Sequence, residues 1–149
     1  MPAYKRILIP VDGSDTSSKA LLAALQLARD AGGRVLVLHS LEQATHVISY
    51  EYVGQVMNAA RDVAAKVLDD AVEVAKAAGV EAESKLIDGK GRRLGQAVAD
   101  AATEWQADLI VVGTHGRHGF SRMLLGSGAE QVIRLAPTPV LVIRGEESA

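Results

Sequence analysis

The chain has 149 residues, enough for one domain with a buried core and too few for two. It is 48% hydrophobic and 23% charged with a formal net charge of -2, which excludes a disordered tail. Both signs of charge are spread along the chain without a Lys/Arg block, so nucleic acid is not an expected partner. Cysteine is absent, which removes disulfides, thiol chemistry and thiolate metal sites and suits a cytoplasmic protein. Aromatic residues make up only 3%, so the core must be built from Ala, Val, Leu and Ile.

The amino terminus, Met1 to Arg6, meets an apolar stretch from Ile7 to Val11 that Asp12 ends. That stretch is too short for a signal peptide or a membrane span. It reads instead as a first strand, apolar on both faces as in a parallel sheet covered by helices. Ser14 or Asp15 is placed to cap a helix with Ala20, Leu21, Ala24, Leu25 and Ala28 on its apolar face, stopped by Gly32-Gly33. Arg34 to Leu41 is a second buried strand. Residues 42–54 are polar and mixed, a loop or a helix lead-in.

From about Gln55 to Ala78 the periodicity is helical, with Val56, Ala60, Val63, Val67, Ala71 and Val74 on the apolar stripe and Gly79 at the end. Val80 to Ile87 alternates, with Val80, Ala82, Ser84 and Leu86 on one side, as expected of a strand with one less-buried face. Asp88 to Gly91 turns into a third helix, Leu94 to Trp105. Leu109 to Val112 is a fourth buried strand, followed by a glycine-rich loop to Gly126. A short helix from about Ser127 to Leu135 ends before Pro137 and Pro139, and Val140 to Ile143 is a fifth strand. Strict alternation of strand and helix predicts a doubly wound parallel α/β sheet with right-handed crossovers, residues 1–149 forming one domain. In such sheets ligands lie at the carboxyl ends of strands where the winding reverses.

Two segments there carry chemistry. Gly113 and Gly116 leave a strand end, and Gly126-Ser127 opens a helix. Glycines allow amide N–H groups to converge on an anion, and the helix start adds unpaired donors and the positive end of its dipole. Arg117 offers a fork of donors and Ser127 a hydroxyl, so the loop selects a polyphosphate. The other segment, Val11 to Asp15, carries two carboxylates. Asp12 either binds Mg²⁺ together with phosphates or meets sugar hydroxyls, while Asp15 caps a helix. His115 and His118 lack the carboxylates of a metal site. Asp88 to Gly95 misses the dinucleotide fingerprint because Leu94 stands where the third glycine belongs, although Gly89 is placed to line a cleft.

The pattern Gly113-x2-Gly116-x9-Gly126-Ser127, with Pro10-Val11-Asp12-Gly13-Ser14 near the start and Pro139 to Val142 near the end, resembles the universal stress protein family over essentially the whole chain. The resemblance is to its ATP-binding branch. It implies a Rossmann-like sheet of order 3-2-1-4-5 flanked by four helices, and a homodimer paired through the last strand (Val140, Val142). It also implies that Pro10, Val11 and Asp12 lie against the adenosine. Backbone around Leu38 and His39 would complete the base pocket, and Gly113, Gly116, Arg117, Gly126 and Ser127 would hold ribose and phosphates. The cofactor would be ATP with Mg²⁺ (Mn²⁺ as an alternative), with Asp12 as the one candidate metal ligand. The sequence departs from the family where Gly128-Ala129 follows Ser127, and the loop also carries Thr114 and His118. No nucleophile or general base is evident, so binding without efficient hydrolysis is expected. Two alternatives stand beside this regulatory reading: an adenylating enzyme of the related ATP pyrophosphatase class, and a dimerisation module without nucleotide.

Overall fold

A computed structural model of the chain describes residues 4–41, 53–87, 93–114 and 127–144. The elements run β1 (Arg6–Pro10), α1 (Asp15–Ala31), β2 (Arg34–Ser40), α2 (Val53–Ala77), β3 (Glu81–Ile87), α3 (Leu94–Trp105), β4 (Leu109–Gly113), α4 (Ser127–Leu135) and β5 (Val140–Ile143). All strand pairings are parallel, and the order is β3-β2-β1-β4-β5. The expected architecture is therefore the observed one, a Rossmann-like α/β sheet with the winding reversed between β1 and β4.

Two cores flank this sheet, which explains the uninterrupted apolar runs. Ile7, Ile9 and Val11 join Val35, Val37, Leu109 and Val111 beneath α1 and α2. Leu8, Leu36, Leu38, Ile110 and Val112 meet α3 and α4 on the other face. Neighbours in sequence thus serve opposite layers, and a strand buried on both sides has no polar position to spare. The edge strand β3 differs: Glu81, Glu83 and Lys85 are exposed, a charged edge that discourages unwanted pairing. Val80 is buried and Ala82 and Leu86 are half-buried as expected, but Ser84 is exposed.

The α1 face is the one read from its periodicity, with Ala20, Leu21, Ala24, Leu25 and Ala28 all buried. Ser14 is its N-cap, accepting from the Ser17 amide at 3.2 Å, and Gly32 closes it in the left-handed region at φ 68°. In α2 the expected stripe is rotated. Val63 is 61% and Val74 39% exposed, while Ala64, Leu68, Ala71 and Ala75 are buried. Ala71 is buried and Val67 packs against the core as expected, so the face is turned toward Ala64, Leu68 and Ala75 while Val63 and Val74 lie on its flank. At α3 the capping is tertiary: Arg93 supplies no side-chain cap, and the Gly95 amide donates to Gln131 Oε1 of α4 at 3.1 Å.

Below the sheet, Asp108 accepts the amides of Lys5 and Arg6 at 2.9 and 3.0 Å. Arg6 in turn stacks over Trp105 at 4.1 Å and donates twice to its carbonyl, tying the start of β1 to the end of α3. The amino-terminal ends of the strands are thus held fixed, opposite the loops that carry the chemistry.

Candidate functional site at the strand switch point

The site grows from the place where β1 and β4 stop pairing. Their register is Ile7 with Leu109 and Leu8 with Ile110; beyond it β1 pairs on with β2, as far as Pro10 opposite Leu38. The Val11 amide then donates to the Leu38 carbonyl at 2.7 Å, extending the β2 side by one bond. In doubly wound sheets ligands lie where two such strands part, and here the β1–α1 loop borders that point.

The β1–α1 loop is built almost entirely from local polar contacts. The Val11 carbonyl accepts from His39 Nδ1 at 2.7 Å; a carbonyl has no proton to give, so that ring nitrogen carries the hydrogen. The Asp12 amide donates to Ser17 Oγ at 3.3 Å, and Ser17 Oγ donates to the Ser14 carbonyl at 3.1 Å. The Asp12 carboxylate accepts the Ser14 amide at 2.9 Å in an Asx turn while remaining exposed beyond the carboxyl end of β1. Gly13 has φ 82°, a conformation that a side chain would strain. Asp15 is exposed in the first turn of α1, where its charge complements the helix dipole.

Several expected site residues acquire narrower roles. The Val11 side chain is 6% exposed within the α1–α2 core, and the Leu38 side chain is fully buried in the α3–α4 core. Neither side chain faces a ligand, so their contribution is restricted to main chain. Pro10 is half-buried at the strand end. Gly113 closes β4, where an added Cβ would lie 2.6 Å from Thr16 Cγ2 and 2.9 Å from the Thr16 carbonyl oxygen. Its lack of a side chain therefore lets the first turn of α1 come close to β4. Thr114 is not an outer loop residue: it is buried, and its amide continues the pairing with β5 through the Ile143 carbonyl at 2.9 Å.

Gly116, Arg117 and Gly126 lie outside the described residues, as do His115, His118, Gly89, His46 and residues 42–52. The backbone of α4 begins at Ser127, as its Gly-Ser start predicts. No cluster of three or more His, Asp or Glu side chains suited to a metal occurs among the described residues. Of the last-strand residues, Val140 and Val142 pack against the α3–α4 core, and Leu141 is the exposed one at 37%.

The sequence did not reveal the part His39 and Ser17 play in holding the Val11–Asp12 peptide. For His39 the visible signal was a polar residue ending an apolar run, and for Ser17 a hydroxyl in a polar helix start, features too common to assign.

The family model of the universal stress protein family matches residues 3–144. This chain belongs to the universal stress protein family. Universal stress protein YxiE of Bacillus subtilis is 31% identical over 150 residues, covering 95% of this chain and 99% of that protein. Among solved structures, the universal stress protein from Archaeoglobus fulgidus in complex with dAMP is 29% identical with a TM-score of 0.70, covering 95% of this chain and 99% of that one. A universal stress protein in complex with cAMP is 26% identical with a TM-score of 0.68, covering 96% and 98%. No helix among the described residues is long and apolar enough to cross a membrane.

Proposed function

We propose that this universal stress protein is a cytoplasmic homodimeric regulator that binds an adenine nucleotide, ATP with Mg²⁺, at the switch point between β1 and β4. The observation that carries this reading is the opening of α4 at Ser127 behind the Gly113-x2-Gly116-x9-Gly126 spacing after β4, the neighbour of β1, whose carboxyl end leads to the exposed Asp12. Related proteins bind dAMP and cAMP, which supports an adenosine monophosphate portion common to the ligands.

In this reading the main chain from Pro10 to Asp12 and around Leu38 borders the adenosine. Asp12 accepts from sugar hydroxyls or contributes one oxygen to a magnesium ion shared with the phosphates. Gly113, Gly116 and Gly126 permit close approach of backbone amides, Arg117 neutralises phosphate charge, and α4 directs its first amides to the same place. A lone carboxylate suits a cation held mostly by phosphates and water, the manner in which magnesium is commonly bound. Nothing in the residue set supplies a positioned nucleophile, so the expected outcome is binding with little hydrolysis and a change of partner or conformation as the output. The dimer would form along the open edge of β5, with Leu141 as its exposed side chain.

Replacing Gly116 and Gly126 together with valine tests the assignment. The β-branched side chains block phosphate approach, and ATP affinity measured by isothermal titration falls at least about tenfold with the circular dichroism spectrum retained. Unchanged affinity would move the site elsewhere.

A further inference from the structure

The Val11–Asp12 peptide lies where the β1 ladder runs out, and two side chains take up its polar atoms. His39 Nδ1 meets the Val11 carbonyl from β2 at 2.7 Å, and Ser17 Oγ receives the Asp12 amide from α1 at 3.3 Å. Both contacts are partly buried, and Ser17 itself is 8% exposed. A peptide plane gripped at its oxygen and at its hydrogen has little freedom to rotate. That plane is the base from which the Asp12 side chain leaves, and the Asx turn to the Ser14 amide then holds its carboxylate.

We infer that His39 is a positioning residue for nucleotide binding, acting through the Val11 carbonyl to hold the peptide from which the Asp12 carboxylate reaches the nucleotide. This rests on the nucleotide reading above and adds a side-chain role to a residue whose backbone alone was expected to border the base. Position 39 follows Val35 and Val37 on the α1–α2 side of β2, the side that also holds Val11. An apolar residue there would satisfy the core equally well, yet would leave the Val11 carbonyl without its ring donor. The choice of histidine is explained by the donor that its δ position places against β1.

The chemistry separates this role from simple packing. Asparagine puts an amide donor near the position of Nδ1, glutamine puts one near Nε2, and leucine fills the space without a donor. Affinity for ATP is measured by isothermal titration for the full chain and for His39→Asn, His39→Gln and His39→Leu, each alone and combined with Asp12→Ala. In the otherwise unaltered chain, His39→Leu and His39→Gln weaken binding about fivefold, the scale of one lost hydrogen bond, and His39→Asn restores it. With Asp12→Ala present, the His39 substitutions change affinity less than about twofold, because the group being held is gone. Additive losses in the double variants, or an asparagine variant as weak as the leucine one, would overturn the inference while leaving the nucleotide reading intact. Should His39→Leu fail to fold, the contrast between asparagine and glutamine decides alone. If the unaltered chain binds no ATP, the nucleotide reading fails and this inference falls with it.

Discussion

Gly95 is the second residue of α3, and on helix propensity alone alanine there would stabilise the protein by up to about 1 kcal/mol. Its surroundings argue the opposite. A Cβ at this position would overlap Gln131 Cβ and lie 2.7 Å from the Gln131 carbonyl carbon, so the obstacle includes backbone of α4 that no rotamer change removes. Overpacking of this kind costs about 1–3 kcal/mol, and the helix shift needed to relieve it strains the 3.1 Å bond from the Gly95 amide to Gln131 Oε1, worth about 1 kcal/mol more. The steric term wins, and Gly95→Ala is destabilised by about 2 kcal/mol, a fall of roughly 4–8 °C in melting temperature for a domain of this size. Thermal unfolding followed by circular dichroism and by fluorescence of Trp105, the chain's single tryptophan at the end of α3, measures it. A melting temperature equal to or above that of the unaltered protein would refute the close α3–α4 contact.

Three further outcomes follow from the same geometry. Ser14→Ala removes the acceptor of the Ser17 amide and lowers stability by about 1 kcal/mol, read as a shift of the chemical denaturation midpoint with unchanged slope. Arg6→Lys keeps the charge but loses the forked donation to the Trp105 carbonyl and the planar stack, costing about 1–2 kcal/mol and altering Trp105 emission. Leu141→Asp yields monomers in analytical ultracentrifugation while the thermal transition persists, since this side chain is partly exposed on the β5 edge. A dimer that survives Leu141→Asp would move the interface off this edge.

Much of the fold was legible because its strands are short apolar runs punctuated by glycine and capped helices. Ile7 to Val11 announces two covered faces, and Gly32-Gly33 stops α1 at the place where a left-handed residue is needed. What escaped the sequence were choices made by tertiary packing. The buried face of α2 shares Ala71 and Val67 with the stripe drawn from periodicity, but it takes Ala64, Leu68 and Ala75 where Val63 and Val74 were expected. In the edge strand β5, Val140 and Val142 are half-buried against the α3–α4 core and Leu141 is exposed, a division set by the helices and not visible in the sequence. In the candidate site, the glycine spacing and Asp12 stand out because their chemistry is local. The grip of His39 on Val11 spans 28 positions and leaves no trace in spacing. The burial of Leu38 and Val11, likewise, is decided by which layer each residue faces; it leaves Val11 only its main chain to offer and agrees with the backbone role expected around Leu38.

Nucleotide carried by the protein itself tests the central claim most directly. Freshly purified chain is denatured in acid, and the released small molecules are identified by mass spectrometry, with equilibrium dialysis against ATP and Mg²⁺ run on the stripped protein. Adenine nucleotide approaching one per chain, either retained or rebound, is the expected result. A chain that releases none and takes up none at millimolar ATP would contradict it.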